Sequence, residues 1–280
     1  MTTVLDILDK GTAYLEKRGI EEARRNMQML VAHQLGCSRV ELYVRFDHPI
    51  DDSDLEPLRI ALKKRGEGIP IQHLLGTVYF RNHEFKTDAR GLIPRPETEE
   101  LAEWLAKHVT LSEGGRILDM GCGSGVLGLS LAADFPKAEV TLADVSPDAL
   151  ALARENAEFT ELSVSFLQSD LFSEIPEDQS FDLIVANLPY VPDAEELAPE
   201  VRHDPALALF GGADGMDLIR RFIPEAAKRL APGGWLALEI GHDQSVETEK
   251  LLHAASLTDV LTLKDLSGIP RFPIAKRGSV

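Results

Sequence analysis

The residues best placed to do chemistry in this chain are Asn187-Leu188-Pro189-Tyr190. They follow the apolar run Phe181-Asp182-Leu183-Ile184-Val185-Ala186, which has the composition of a buried strand. In an open α/β sheet, ligands bind outside the carboxyl ends of the strands. An amide side chain, a proline-stiffened backbone and an aromatic face at that point suit the holding of a planar NH2 group. Upstream, Asp119-Met120-Gly121-Cys122-Gly123-Ser124-Gly125 follows Ile117-Leu118 and makes a nucleotide-type cofactor site. Together the two stretches imply methyl transfer from S-adenosyl-L-methionine to an amide or exocyclic amine nitrogen.

An amide nitrogen is a poor nucleophile because its lone pair is delocalised into the carbonyl. Accepting hydrogen bonds from both of its N–H groups orients it and raises its electron density. The expected acceptors are the Asn187 side-chain oxygen and the Leu188 backbone carbonyl. Pro189 restricts Leu188 to extended geometry and so aims that carbonyl. Tyr190 is expected to pack against the plane of the amide. Placing the sulfonium methyl in line with the nitrogen then supplies much of the catalysis.

The glycines of the cofactor loop allow close backbone approach because they lack a side chain. Asp144 ends the next strand, 19 residues after Gly125, where a carboxylate can accept hydrogen bonds from ribose hydroxyls. Asp119, just before the loop, is placed to meet a cationic amino-acid moiety. Asp170, ending the third strand, would border the adenine. Cys122 reads as a small filler. Gly123-Ser124-Gly125-Val126-Leu127-Gly128 also fits the GxGxxG pattern of nicotinamide and flavin proteins. Asp119, Asp170 and the Asn-Leu-Pro-Tyr element argue against hydride transfer.

The elements that must position these residues alternate between strand and helix. Strands are expected at Ile117-Leu118, 139–144, 163–167, 181–186 and 235–240. Helices are expected at 126–133, 148–158, 218–230 and 245–255, with Pro232-Gly233-Gly234 as a turn. Val260–Leu263 and Pro273–Lys276 are two final strands with no helix between them. The pattern implies an α/β fold with a mainly parallel sheet covered on both faces and an antiparallel edge. Ahead of it, residues 1–75 read as a small all-α bundle. Residues 76–96 read as a β-hairpin and linker, and 97–280 as the catalytic domain, whose first helix opens at Pro96 or Glu97.

The chain carries 29 Lys and Arg against 46 Asp and Glu, for a net charge of −17. Between residues 151 and 200 there are 12 acidic side chains and one basic one, Arg154. Nucleic-acid binders show a basic footprint, so no direct nucleic-acid partner is expected. No apolar run reaches the length of a membrane span, no signal peptide is evident, and no membrane partner is expected. Cys37 and Cys122 have neither metal-ligand nor disulfide spacing. A cytoplasmic, reduced protein without a metal is the expectation.

Taken along its length, the chain resembles the PrmC/HemK protein-glutamine methyltransferases. The resemblance rests on Gly68-Ile69-Pro70-Ile71-Gln72-His73-Leu74-Leu75-Gly76, Ile93-Pro94-Arg95-Pro96-Glu97-Thr98-Glu99, the glycine loop, Asp144, Gln168-Ser169-Asp170 and the tetrapeptide. It continues through Leu238-Glu239-Ile240-Gly241-His242 and Asp265-Leu266-Ser267-Gly268-Ile269-Pro270-Arg271-Phe272. It implies a class I S-adenosylmethionine-dependent methyltransferase, Rossmann-like, with a seven-stranded sheet whose last strand is antiparallel. It further implies a helical N-terminal domain that docks class-1 peptide chain release factors. The glutamine of their Gly-Gly-Gln motif would be methylated on its side-chain nitrogen. By this resemblance Gly121, Gly123, Gly125 and Asp144 bind the cofactor. Asp170-Leu171-Phe172 would border adenine, and Asn187 would touch both cofactor and substrate. The family pattern is usually Asn-Pro-Pro-Tyr. Leu188 stands at its second position, where a backbone carbonyl is what the role requires.

Overall fold

Period-two apolar patterning decides how the central strands sit. In β3 (Arg116–Met120) Ile117 faces one core and Leu118 the other. In β6 (Phe181–Asn187) Leu183 and Val185 join the first, Ile184 and Ala186 the second. Strands buried on both faces need helices on both sides. Here α5 (Pro96–His108), α6 (Val126–Asp134) and α7 (Pro147–Phe159) supply the first layer. The second comes from α8 (Asp217–Arg229) and α9 (Ser245–Ala254). The computed structural model describes residues 2–279, and of residue 52 the backbone alone.

The sheet is completed by β4 (Glu139–Asp144), β5 (Ser165–Gln168), β7 (Leu230–Glu239), β8 (Thr258–Lys264) and β9 (Pro270–Lys276). Its order is β5-β4-β3-β6-β7-β9-β8. The first five strands pair in parallel, and β9 runs antiparallel to both β7 and β8. This is the seven-stranded Rossmann-like sheet with an antiparallel last strand. Strand order reverses direction between β3 and β6, which makes a crevice at their carboxyl ends.

One local expectation is corrected. Pro232-Gly233-Gly234 is not a turn before a strand but lies within β7. Phe181 pairs with Leu230, and the next pair is Leu183 with Trp235, so the extra residues bulge out of the ladder. Gly233 at φ 78° makes the detour available.

The chain divides into two units. The first runs to Thr77 and takes in Ala198–His203. It holds α1 (Val4–Glu16), α2 (Ala23–Gln34), a 3-10 turn at Glu41–Arg45, α3 (Asp52–Gly66) and α4 (Ile71–Leu75) around a core of Leu8, Leu15, Met27, Val31 and Leu42. Thr3 and Asp6 form a reciprocal capping box at the start of α1. Arg65, buried in this unit, donates to Asn26 Oδ1 at 2.7 Å and the Ile69 carbonyl at 3.2 Å, and it pairs with Glu200. A stretch far away in sequence is thereby fixed to the bundle.

The second unit contains the sheet and a hairpin, β1 (Thr77–Phe80) and β2 (His83–Lys86), of which Thr77 is the boundary residue. Asn156 of α7, fully buried, joins three parts of this unit. Its Oδ1 accepts the Lys86 N–H at 2.7 Å, and its Nδ2 donates to the Ser124 carbonyl at 2.9 Å and the Lys86 carbonyl at 3.1 Å. A buried polar group that loses its partner costs about 1–3 kcal/mol. Asn156→Ala is therefore expected to lower the unfolding free energy by about 3 kcal/mol in urea titration. A loss below about 1 kcal/mol would show that water replaces these bonds.

Candidate active site

Parallel register brings the carboxyl ends of five strands into one row. Met120 pairs with Ala143 and with Ala186, Asp144 with Gln168, and Asn187 with Glu239. Residues that sequence spreads over 120 positions thus line one edge of the sheet. Above that edge is a cavity of about 360 Å³. Asp119, Gly121, Cys122, Gly123, Ser124, Asp144, Asp170, Leu171, Asn187, Leu188 and Pro189 all line it. Gly125, Phe172 and Tyr190 do not.

Each of those three has another place. Gly125 enters α6 at φ 84°, and a Cβ there would crowd Ala153 and Leu142. Phe172 is buried and stacks on Phe222 with ring centroids 5.6 Å apart, so it borders the core of the second helical layer. Tyr190 turns its hydroxyl to Glu239 Oε1 at 3.4 Å. Its carbonyl accepts from Gln244 Nε2 at 3.0 Å.

The glycine loop is shaped by two carboxylates. Asp144 accepts from the Gly123 N–H at 2.9 Å and the Ser146 N–H at 2.8 Å, so one side chain ties the loop to the start of α7. Asp119 Oδ2 accepts from the Gly128 N–H at 2.8 Å. Gly121 sits at φ 70°, and a Cβ there would come within 2.9 Å of Leu188 Cδ2. Cys122 is buried, and burial pushes its thiol well above the ordinary range. It is held as the thiol, a packing group rather than a nucleophile.

Several site residues were not singled out from sequence. Thr98 at the start of α5 accepts from Asn187 Nδ2 at 3.2 Å and donates to Glu239 Oε2 at 2.6 Å. Arg95 donates to the buried Asp204 at 2.7 Å, and Asp204 also accepts the Ile93 N–H at 3.2 Å, which holds the two-proline strap over the cavity. Arg221 of α8 pairs with Asp170 at 2.9 Å on the cavity wall. A Cβ on Gly211 or Gly215 would overlap the Pro189 or Tyr190 carbonyl, so these glycines let the following loop close against the tetrapeptide. The pairing signals for Thr98, Glu239 and Arg95 lay in the Pro-Arg-Pro-Glu-Thr and Leu-Glu-Ile-Gly-His stretches. Their partners are over 100 residues apart in chain order.

Residues 6–76 match the model of the PrmC N-terminal domain, and residues 91–204 match that of the methyltransferase small domain. The release factor glutamine methyltransferase of Geobacter sulfurreducens is 38% identical over 272 residues, covering 96% of this chain and 95% of the relative. That of Mycolicibacterium smegmatis is 40% identical over 285 residues, covering 99% of each. This chain belongs to the release factor glutamine methyltransferase family. Its fold is shared with the T. thermophilus 16S rRNA N2 G1207 methyltransferase (RsmC), solved with AdoMet and guanosine. That structure has a TM-score of 0.54 and 22% identity, over 73% of this chain and 50% of the other.

As a family member the protein is a methyltransferase that uses S-adenosylmethionine. The cavity fits that cofactor. Asp119 is almost wholly buried, and no cationic side chain pairs with it among the described residues. Burial pushes its carboxyl up to about 7, the Gly128 N–H opposes the rise, and the Asp144 charge adds to it. Burial likewise raises Asp144. A buried carboxylate of this kind is stabilised by a cation, and S-adenosylmethionine carries a sulfonium and an ammonium. Binding a cation favours ionised Asp119. Below about 7 a proton must first leave, so cofactor affinity is expected to rise about tenfold per pH unit up to that value and to level off above it. Calorimetric titration between about pH 5.5 and about pH 8 reads this directly, and a flat profile would remove Asp119 from cation binding. Among the described residues no helix is long and apolar enough to cross a membrane, and no group of acidic, His and Cys side chains is arranged to hold a metal.

Proposed function

We propose that this enzyme methylates the side-chain amide nitrogen of the glutamine in the Gly-Gly-Gln motif of class-1 peptide chain release factors. The observation that carries this reading is the Asn187 amide. Its nitrogen is committed to Thr98, and its oxygen has no partner among the described residues, at the end of β6 beside the glycine loop. The full-length similarity to release factor glutamine methyltransferases supports the choice of a protein glutamine over a nucleobase.

Asn187 Oδ1 accepts one N–H of the substrate amide, and the Leu188 carbonyl accepts the other. Two acceptors fix the plane of the amide and increase the electron density on its nitrogen. Pro189 keeps Leu188 extended, and Gly211 packs over the next carbonyl, so the acceptors are held before substrate arrives. When bound, the cofactor would supply an electrophilic methyl group, its bond to sulfur breaking as the bond to nitrogen forms. The nitrogen then releases its surplus proton to water. Asp144 would receive the ribose hydroxyls, Asp119 the cationic amino-acid end, and Asp170 with Leu171 would border the adenine. The helical unit docks the release factor. This reading places the enzyme in the cytoplasm, in keeping with its two free cysteines.

The test is transfer of labelled methyl from S-adenosylmethionine to a purified release factor. A release factor with its Gly-Gly-Gln glutamine replaced and bulk RNA run beside it. Label on the unaltered release factor alone is expected. Label on RNA and none on the release factor would move the substrate to a nucleobase amine.

A further inference from the structure

We infer that Thr98 and Glu239 are positioning residues that set the direction of the Asn187 amide, and thereby make the site select glutamine over glutamate. The inference rests on the function proposed above.

The argument turns on counting protons. A threonine hydroxyl has one proton and two lone pairs. Thr98 Oγ1 lies 2.6 Å from Glu239 Oε2 and 3.2 Å from the Asn187 amide. Burial pushes the Glu239 carboxyl up, while the Thr98 and Tyr190 hydroxyls and the Arg271 charge favour its ionised form. As a carboxylate it only accepts, so the single hydroxyl proton goes to Glu239. Tyr190 also donates to this carboxylate, at Oε1. Thr98 then has only lone pairs left for Asn187, and only the amide NH2 can satisfy them. The amide oxygen is thereby left as the open end. Thr98 and Glu239 are both buried, with 4% and 2% of their surface exposed, so water does not compete for these bonds.

The direction of this amide decides what the site accepts. With oxygen outward, Asn187 takes a hydrogen bond from a substrate NH2 and repels a carboxylate. With nitrogen outward, it would donate to a carboxylate and offer nothing to a glutamine N–H. Glutamine and glutamate have nearly the same shape, so packing cannot separate them. The separation falls to buried hydrogen-bond polarity, which discriminates strongly.

Three variants test this, with the full chain and a release factor as substrate. A release factor carrying glutamate in place of the Gly-Gly-Gln glutamine serves as competitive inhibitor. The native enzyme is expected to bind the glutamate form at least about a hundredfold more weakly than the glutamine form. Thr98→Val removes the acceptor for the Asn187 NH2 and frees the amide to rotate. It should lower kcat about a hundredfold and narrow the discrimination about tenfold or more, with cofactor Kd unchanged. Thr98→Ser keeps the hydroxyl and should restore both. Glu239→Gln can present an NH2 to Thr98 and so reverse the chain of donors. It should narrow the discrimination in the same way. Thr98→Val and Glu239→Gln with native discrimination would overturn the inference, as would a Thr98→Ser enzyme as impaired as Thr98→Val. If Thr98→Val fails to bind cofactor, the serine and Glu239→Gln enzymes decide alone. A native enzyme that transfers no methyl to the release factor overturns the proposed function itself. A native enzyme that does, beside variants of unchanged selectivity, overturns only the relay.

Discussion

Asn187→Ala is expected to lower kcat for release factor methylation by about a thousandfold while cofactor affinity falls less than tenfold. The side chain ends β6 at the row of strand termini, and among the described residues its Oδ1 has no partner. Removing it deletes an acceptor whose hydrogen bond strengthens as positive charge develops on the reacting nitrogen, so the loss belongs to turnover. In the proposed reading cofactor affinity rests instead on the glycine loop, Asp119 and Asp144, which keep their own bonds to Gly128, Gly123 and Ser146. Single-turnover kinetics beside calorimetric binding separates the two. Equal losses in both would assign Asn187 to cofactor binding alone.

Gly128→Ala should weaken cofactor binding about a hundredfold and cost about 2 kcal/mol of stability. Gly128 lies in the first turn of α6, where its N–H reaches Asp119 at 2.8 Å. A Cβ there would overlap Leu142, lie 2.8 Å from Asp119 Oδ2 and 2.9 Å from Asp119 Cβ. Leu142 is fully buried and has no room to retreat. The helix must move off the sheet, and with it the glycine loop, which disturbs the Asp119 carboxylate proposed to meet the cofactor's cation. Ser130→Ala, two residues on, is the control. Its hydroxyl is buried without a hydrogen-bond partner among the described residues, so removing it should be neutral or stabilising. Near-native cofactor affinity in Gly128→Ala would mean that α6 adjusts more freely than its packing indicates.

Gly128 also shows how far the motif can be read. From sequence it completes a GxGxxG spacing that nicotinamide proteins share. In the fold, the third glycine lets a helix approach closely enough for its amide to hold Asp119, a need common to both cofactor classes. Leu188 is the converse case. Its value from sequence lay in a backbone carbonyl. In the fold its side chain is also buried, with Cδ2 against Gly121. Position two of the tetrapeptide therefore helps to seat the cofactor loop as well as to present a carbonyl. Nothing local to residues 187–190 encodes that contact, because Gly121 belongs to the loop that follows β3.

The sequence by itself determined the alternation of strands and helices, the helical first unit, the cofactor loop and the tetrapeptide. Each of these is written in local patterns: period-two and period-3.6 hydrophobicity, glycine where the backbone must turn or be approached, and proline where it must stay extended. Only the tertiary structure decided which of these residues meet. Strand register set Asn187 beside Glu239, and the packing of α5 brought Thr98 between them. Packing also took Phe172 and Tyr190 away from the cavity, and fixed residues 198–203 to the helical bundle through Arg65. These partners are far apart along the chain, and a hydrogen bond between them depends on distances of a few ångströms that no local pattern specifies.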